Sequence, residues 1–521
     1  MLLLPFCAGP ISSPEVTAGG SQEAAGMDRA GHIVGRQRIV RSEEIRIDAY
    51  ISGVDYGYPD PEGDVGITLF LDTVSTPDRS AGGSESAILQ IGIQGRRIPF
   101  GELPPMNLVF LLDTSGSMSG EGKIEAGREA FRSMLRRLRD EDIVSVVVFA
   151  EEASVIVPPI RLAAVGSRDS LAMRLSETRP YGRSNLGVGL ETGYAQAVAR
   201  YGPGMVNRVI LVSDGNGVSS GTVEETVAEM IEEYRDAGIG LTTVTVGTTV
   251  DVAGMSALAR AGGGSSRFAG DAGRASELFD TGFDRMIVAA ASDLEVLLHP
   301  KTITNRPIGP DMAATWGYDH RYTGDSIRYT IPSLHVRDYE TIVVELGDLD
   351  SNFSFTLTVR YRDWKGRDVV LGPFDETHLS NLEQRERLEK HPIHTRAAIM
   401  VRFAQGLKDI GVLYYSVWDD FQYLYTTQNR VFDVPYLRQE TALDVVAERE
   451  YEELSRSIEA RRRRALEIVI GLFHQVHSAR NVLGEAALQD EEAILRTYSG
   501  ILSRELMLDP EEANMLQAPD S

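Results

Sequence analysis

The stretch LVFLLDTSGSMSG, residues 108–120, runs an apolar segment into an aspartate and then into two serines spaced two apart. Asp113, Ser115 and Ser117 thus put three oxygen donors into one short turn, with Gly116 between the serines leaving the backbone room to bend tightly. Oxygens of this type suit a small, hard divalent cation such as Mg²⁺, which takes an octahedral oxygen shell and usually keeps some water. Two other segments supply the oxygens such a shell still needs. NRVILVSDGNG is a second apolar run, ending on Ser213-Asp214-Gly215, and YGRSNLGVGL is a glycine-containing loop that carries Ser184 into a helical stretch. Serine and aspartate also cap helices, which accounts for any one of Asp113, Ser115, Ser117, Ser184 and Asp214 but not for all five.

Rival chemistries fail on spacing. GSMSGEGK suggests a phosphate-binding loop, yet Ser117 stands where the first glycine is needed and Lys123 is followed by Ile124 instead of Ser or Thr. GNGVSSG spaces Gly215, Gly217 and Gly221 one residue too long for a dinucleotide fingerprint. His474 and His477, at i and i+3, lack a nearby Cys, Asp or Glu set to complete a metal site and read as a solvated or partly packed pair. The run Arg461–Arg464 reads as a solvated face pairing with Glu452, Glu453 and Glu467. The nine histidines are scattered and the single cysteine is Cys7, so no nucleophile, base and orienter assemble and the chain reads as non-enzymatic. A hydrolase with a site outside these motifs is the remaining enzymatic alternative.

The elements that must position the five oxygens follow from hydropathy. Between 106 and about 290, unbroken Val/Ile/Leu strands (MNLVFLL, IVSVVVFA, NRVILVS, IGLTTVTVG) alternate with amphipathic helices near 122–138, 168–176, 187–200, 222–236, 252–261 and 273–290. That alternation predicts a doubly wound, mostly parallel α/β sheet buried on both faces, whose ligands bind outside the carboxyl ends of the strands. Asp113 and Asp214 are both delivered to that edge.

In this context Asp113-Thr114-Ser115-Gly116-Ser117, a hydroxyl loop and a strand ending in Asp-Gly resemble a von Willebrand factor type A domain with a metal ion-dependent adhesion site. The run AILQIGIQGRRIPFGELPPMNLVFLLDTSGSM, within 85–290, is similar to the bacterial YfbK-like subgroup, in which a short β segment leads into the domain. The resemblance implies a Rossmann-like domain over 106–290, direct ligation by Ser115 and Ser117, direct or water-mediated contact by Asp113 and Asp214, and a third hydroxyl from Ser184. The family usually carries Thr at that last position; serine keeps the oxygen and loses a methyl that helps fix the rotamer. The metal so implied is Mg²⁺, with Mn²⁺ or Ca²⁺ as alternatives, and its open coordination position would take a carboxylate from a protein partner. The expected function is metal-dependent protein binding or scaffolding. The alternative is a type A subunit of an ATP-driven chelatase or MoxR-type assembly that recruits a client to an AAA+ ATPase.

The flanks are different in texture. Residues 1–40 are rich in Gly, Ala and Ser and read as a disordered or signal-tether segment; EIRIDAYIS, VGITLFLDTV and AILQIGIQG, within 41–105, alternate like antiparallel strands, and strand texture returns over 291–375. Neither flank has an obvious second layer, so the two are expected to form one β-sandwich into which the type A domain is inserted, with hinges at about 101–105 and 290–294. Ile67, Leu69 and Leu71 are expected to meet Val343 and Leu346, or Phe355 and Leu357, in its core. Residues 376–521 turn helical, with Met400, Phe403, Leu407 and Ile410 on one face. The fold class is therefore multidomain α/β, a type A domain inserted in a β-sandwich with a C-terminal helical region.

Net charge and the N-terminus bound the partners. With 52 Lys+Arg against 76 Asp+Glu, the chain carries a formal charge of −24, which repels phosphate backbones and argues against nucleic acid. No apolar run is long enough to span a membrane. Cys7 follows MLLLPF and precedes small residues, as the acylated cysteine of a lipoprotein does, although a basic n-region is missing. That reading lipidates Cys7 and places the chain in the cell envelope; the other leaves an incidental cysteine in a cytoplasmic protein.

Overall fold

The computed structural model describes residues 23–507 apart from 53, 55, 57, 76–84, 218–224, 248–249, 303–312, 317, 319, 347–352, 379–392, 433–441 and 484–487. Two compact units result, the first from the described parts of Met1–Arg29 and Asp48–Glu389, the second from Ala30–Ile47 and Lys390–Ser521.

In the first unit, strands β1 (Val65–Ser75) and β2 (Glu85–Gly95) precede the α/β segment, which holds β3 (Met106–Asp113), β4 (Ile143–Phe149), β5 (Ala153–Arg161), β6 (Val206–Ser213), β7 (Ile239–Val246) and β8 (Ser266–Ala269). These six form one sheet in the order β5-β4-β3-β6-β7-β8, parallel throughout except for β5. Every residue of β3 is buried because alternate side chains enter different cores: Leu108, Phe110 and Leu112 join Phe131 and Met134 on one face, whereas Val109 and Leu111 meet Leu190 and Tyr194 on the other. Burial on both faces is why the strand reads as an unbroken apolar run. The antiparallel edge strand β5 went unread. Only Val157 of it is buried, and it carries Pro158-Pro159, which an edge strand tolerates because its outer N–H groups need no partner. The short strand β8 was likewise missed.

Strands β9 (Ala289–Thr302), β10 (Ala313–Trp316), β11 (His320–Thr323), β12 (Ser326–His335), β13 (Tyr339–Leu346), β14 (Phe353–Asp363) and β15 (Asp368–Phe374) follow. Together with β1 and β2 they build two antiparallel sheets, β1-β2-β13-β10 and β11-β12-β9-β14-β15. Leu69, Ile91, Ile342 and Leu346 of the first sheet share one core with Leu294, Val296, Leu298, Ile327, Phe355 and Leu357 of the second, and Ile67 and Leu71 pack at its edge. The two flanks thus close a single sandwich around the inserted α/β domain. Val343 is a correction: register pairs it with Gln90, one step out of phase with Ile342 and Val344, so it faces away from that core.

Other expectations near the domain edges are also corrected. EIRIDAYIS forms no strand; Ser42–Glu44 is a 3₁₀ turn and Ile47–Ser52 a helix that buries the contiguous Ala49-Tyr50-Ile51-Ser52, Asp48 and Ala49 being poor strand formers. Within the segment expected to be disordered, Glu23–Gly35 is a helix, its Ala30, Ile33 and Val34 buried at helical spacing. The single helix expected near 273–290 is two, Ala272–Asp280 and Phe283–Ile287, and the chain is already extended in β9 from Ala289.

The expected hinges are pinned. On entry, Leu103 is buried in the α/β core, and Arg139 donates to the Leu103 and Pro104 carbonyls at 2.8 Å each while pairing with buried Asp142. On exit, Val288, Ala290 and Val336 pack into that same core; Val336 N donates to the Val288 carbonyl, and Gly95 N to the Asp338 carbonyl. Arg267 of β8 reaches the Asp338 carboxylate at 2.9 Å, both side chains almost wholly buried. Arg208 and His335 are buried nearby. Burial, then the positive charges of Arg208 and Arg267, hold the His335 imidazole well below its ordinary range.

The second unit packs helices Ile393–Phe432, Ala442–Leu483 and Gln489–Glu505. Met400, Phe403, Leu407 and Ile410 are fully buried on one face, as their spacing requires. His477 Nδ1 donates to Glu492 Oε1 at 2.9 Å, whereas His474 is exposed. Arg464 pairs with Glu467, Arg463 with Glu459 and Arg462 with Glu505.

Candidate metal centre

The five oxygen-bearing residues lie at the carboxyl edge of β3 and β6, Asp113 as the last residue of β3 and the others in the loops beyond that edge. Backbone hydrogen bonds fix those loops to one another. Thr114 N donates to the Phe149 carbonyl at the end of β4, Gly116 N to the Gly182 carbonyl, and Tyr181 N to the Thr114 carbonyl. A side chain at Gly116 would put its Cβ 3.2 Å from the Gly182 oxygen, so the close approach of the two loops uses the missing side chain. Asn185 then starts the helix Leu186–Ala199 by accepting from Val188 N, leaving Ser184 at the mouth just before it. Gly217, at φ +127°, lies so close that a Cβ there would stand 3.0 Å from the Ser184 Cβ.

Asp113 lies at the bottom, with no exposed surface. Its Oδ1 accepts from Ser115 N at 2.8 Å, and its Oδ2 accepts from the Ser184 and Ser213 hydroxyls at 3.1 and 2.7 Å. Ser115 Oγ and Ser117 Oγ are 3.1 Å apart. Asp113, Ser115, Ser117 and Ser184 therefore form one hydrogen-bonded group, the carboxylate buried and Ser117 and Ser184 partly open above it. Asp214, also fully buried, has different partners: Asn216 N meets its Oδ1 at 3.0 Å, and Asn216 Nδ2 and Lys123 Nζ meet its Oδ2, each at 2.9 Å. Lys123 Nζ reaches on to the Ser117 carbonyl at 3.2 Å, which ties Asp214 to the serine turn.

The two carboxylates are electrically unlike. Asp214 has a cation beside it; the partners of Asp113 are two hydroxyls and an amide. Burial pushes the Asp113 carboxyl above its usual range, the Ser115 amide and the Ser213 and Ser115 hydroxyls draw it back, and the charge of Asp214 pushes it up again. A buried carboxylate with no cationic partner among the described residues, under a pair of serine hydroxyls, is a donor set that a hard divalent cation would complete. The residues present therefore fit such an ion. Among the described residues no group of three or more His, Cys, Asp or Glu could hold a metal, so an ion here would depend on the hydroxyls.

Ser213, Asn216 and Lys123 were not among the expected site residues. Ser213 and Asn216 lie within two residues of Asp214, a signal carried by adjacency alone; Lys123 enters the sequence only as part of a phosphate-loop pattern whose spacing fails. Cys7 lies outside the described residues.

A family model described as von Willebrand factor type A domain matches residues 106–268. The chain is 24% identical over 274 residues to the uncharacterized protein YfbK of Escherichia coli (strain K12), covering 52% of this chain and 44% of that one. It is 27% identical over 168 residues to the human inter-alpha-trypsin inhibitor heavy chain H4, covering 31% of this chain and 18% of the relative. The chain thus spans less than half the length of these curated relatives. Among solved structures, a von Willebrand factor type A protein from Catenulispora acidiphila aligns over 80% of this chain and 89% of its own, at 13% identity and a TM-score of 0.46.

Proposed function

We propose, on the premise that this chain is a von Willebrand factor type A protein similar to YfbK, that it is a non-enzymatic binding or scaffold protein that captures a partner carboxylate through a divalent cation. A protein-interaction role in general is what the domain type supports; dependence on metal and capture of an acidic side chain are the further steps. The observation that carries them is the environment of Asp113, a fully buried carboxylate answered, among the described residues, by hydroxyls and an amide, beneath serine oxygens that open to solvent. In this reading Ser115, Ser117 and Ser184 hold the ion, Asp113 and Asp214 balance its charge, and Mg²⁺ is the preferred occupant, with Mn²⁺ or Ca²⁺ as substitutes. The bound ion supplies a Lewis-acidic position for the incoming carboxylate. The chain's own part is to bury the two acids, aim the hydroxyls and keep the loops fixed.

The test is thermal. An ion that binds only the native state at a hundred times its Kd adds about 2.7 kcal/mol. Mg²⁺ or Mn²⁺ should therefore raise the melting temperature of the wild type and leave Asp113→Ala unmoved, and capture of an acidic protein ligand should be lost in EDTA. An equal metal response in Asp113→Ala rejects the assignment. Acylation of Cys7, with residence at the cell envelope, is a separate part of the proposal: the wild type would partition into detergent and Cys7→Ser would not, whereas an aqueous wild type expressed in a bacterial host removes it.

A further inference from the structure

Lys123 is placed against its ordinary preferences. It is the first residue of the helix Lys123–Arg137, where a positive charge opposes the helix dipole, and its side chain is 6% exposed although lysine is almost never buried without a partner. The fold makes room for it. Gly247, just past β7 at φ +95°, leaves open the space its stem fills: a Cβ there would stand 2.5 Å from Lys123 Cε and 2.8 Å from Cγ. The ammonium ends 2.9 Å from Asp214 Oδ2 and 3.2 Å from the Ser117 carbonyl, between the two halves of the candidate centre.

This position changes the charge of the centre. Asp113 and Asp214 alone would be neutralised by a divalent ion, leaving nothing electrostatic to draw in a carboxylate. With Lys123 present the same ion leaves one unit of positive charge in excess, which a single partner carboxylate cancels. We infer that Lys123 is a built-in counter-cation that weakens the centre's hold on the metal alone and makes the metal-loaded centre an anion trap, so that metal and acidic partner are taken up together. The inference rests on the metal-centre reading above and deepens it. Lys123 here is a positioning and charge-setting residue; it holds Asp214 and touches neither partner nor reacting group.

Mn²⁺ binding, followed by titration with the spin signal of the free ion, tests it on the full chain. Lys123→Met should bind Mn²⁺ about tenfold more tightly than wild type, since a full charge a few ångströms away in a partly buried site is worth at least that factor. Lys123→Arg, which keeps the charge, should bind within about twofold of wild type, a rescue that mere packing of a long stem would not predict for affinity. Acetate should tighten Mn²⁺ binding in wild type and Lys123→Arg more than in Lys123→Met. Should Lys123→Met fail to fold, Lys123→Gln keeps a donor to Asp214 without the charge and takes its place. Unchanged or weaker Mn²⁺ binding in a folded, uncharged variant overturns the inference. Absence of Mn²⁺ binding in the wild type, with Asp113→Ala indistinguishable from it, instead removes the metal-centre reading and the inference with it.

Discussion

Replacing Arg267 by methionine keeps most of its stem and removes the ion-pair partner of the Asp338 carboxylate, which has no exposed surface and, among the described residues, no other ion pair and no hydrogen-bond partner for Oδ1. Stripping the cation from a buried pair leaves an uncompensated charge and costs about 3–5 kcal/mol, whereas an exposed pair would cost under about 1 kcal/mol. If the α/β domain and the sandwich melt as one unit, at about 2–4 °C per kcal/mol, the melting temperature falls by roughly 6–20 °C. Scanning calorimetry reads both the shift and the number of transitions, and urea midpoints give the energy. Arg267→Met with Asp338→Leu should recover most of the loss, because an apolar pair can replace a buried ion pair at little cost. A loss below about 1 kcal/mol, or two separate transitions of which only one moves, would show that the junction is loose and that the reasoning from its burial is wrong.

His335 gives a pH dependence. Its native proton affinity is depressed by burial and by Arg208 and Arg267, so the unfolded chain takes up a proton first as pH falls below about 6.5. The contribution of neutral His335 is complete above that pH and is lost progressively toward the depressed native value; His335→Gln should flatten the difference between urea midpoints measured at about pH 7.5 and 5.5, and an unaltered slope rejects the assignment. Residues 289–375 expressed alone should lack a cooperative transition, since their core borrows Leu69, Leu89, Ile91 and Ile93 from the other flank, and adding 60–100 on a short linker should restore one. Cooperative unfolding of the lone fragment would count against the shared core.

What could be read in the chain depended on how many neighbours each residue needed to declare its role. β3 and β6 are buried on both faces, so their apolar runs are visible without knowing the sheet, and the acids at their ends could be assigned to one edge. The choice of a sandwich face for Val343 needed the register with β2, and a period of two offers either face equally. In 44–52 the alternation of Ile45, Ile47, Ala49 and Ile51 mimicked a strand, while the buried set is one helical turn. Lys123 was the least legible: nothing local distinguishes a lysine at a helix start that stays in water from one whose stem threads past a glycine more than a hundred residues later to meet Asp214.

The pairing of β2 with β13 sets an order of events during synthesis. Gln94 lies opposite Tyr339 and Ala87 opposite Leu346, with the whole α/β domain between them in the chain. As the nascent chain emerges, β1 and β2 can form only a hairpin, which by itself is marginal, and must wait with an apolar face open until the second flank has left the ribosome. The inserted domain, whose six-stranded sheet is complete within its own residues, can fold as a unit in that interval. Because its entry and exit lie together, with Phe100 just before β3 against Phe283 of its last helix, Phe283–Ile287, its folding brings the ends of a very long loop together and removes most of the closure entropy that the sandwich would otherwise face. The inserted domain is then the assembly jig for its own support, and a mutation that slows its folding would appear first as aggregation through the waiting hairpin.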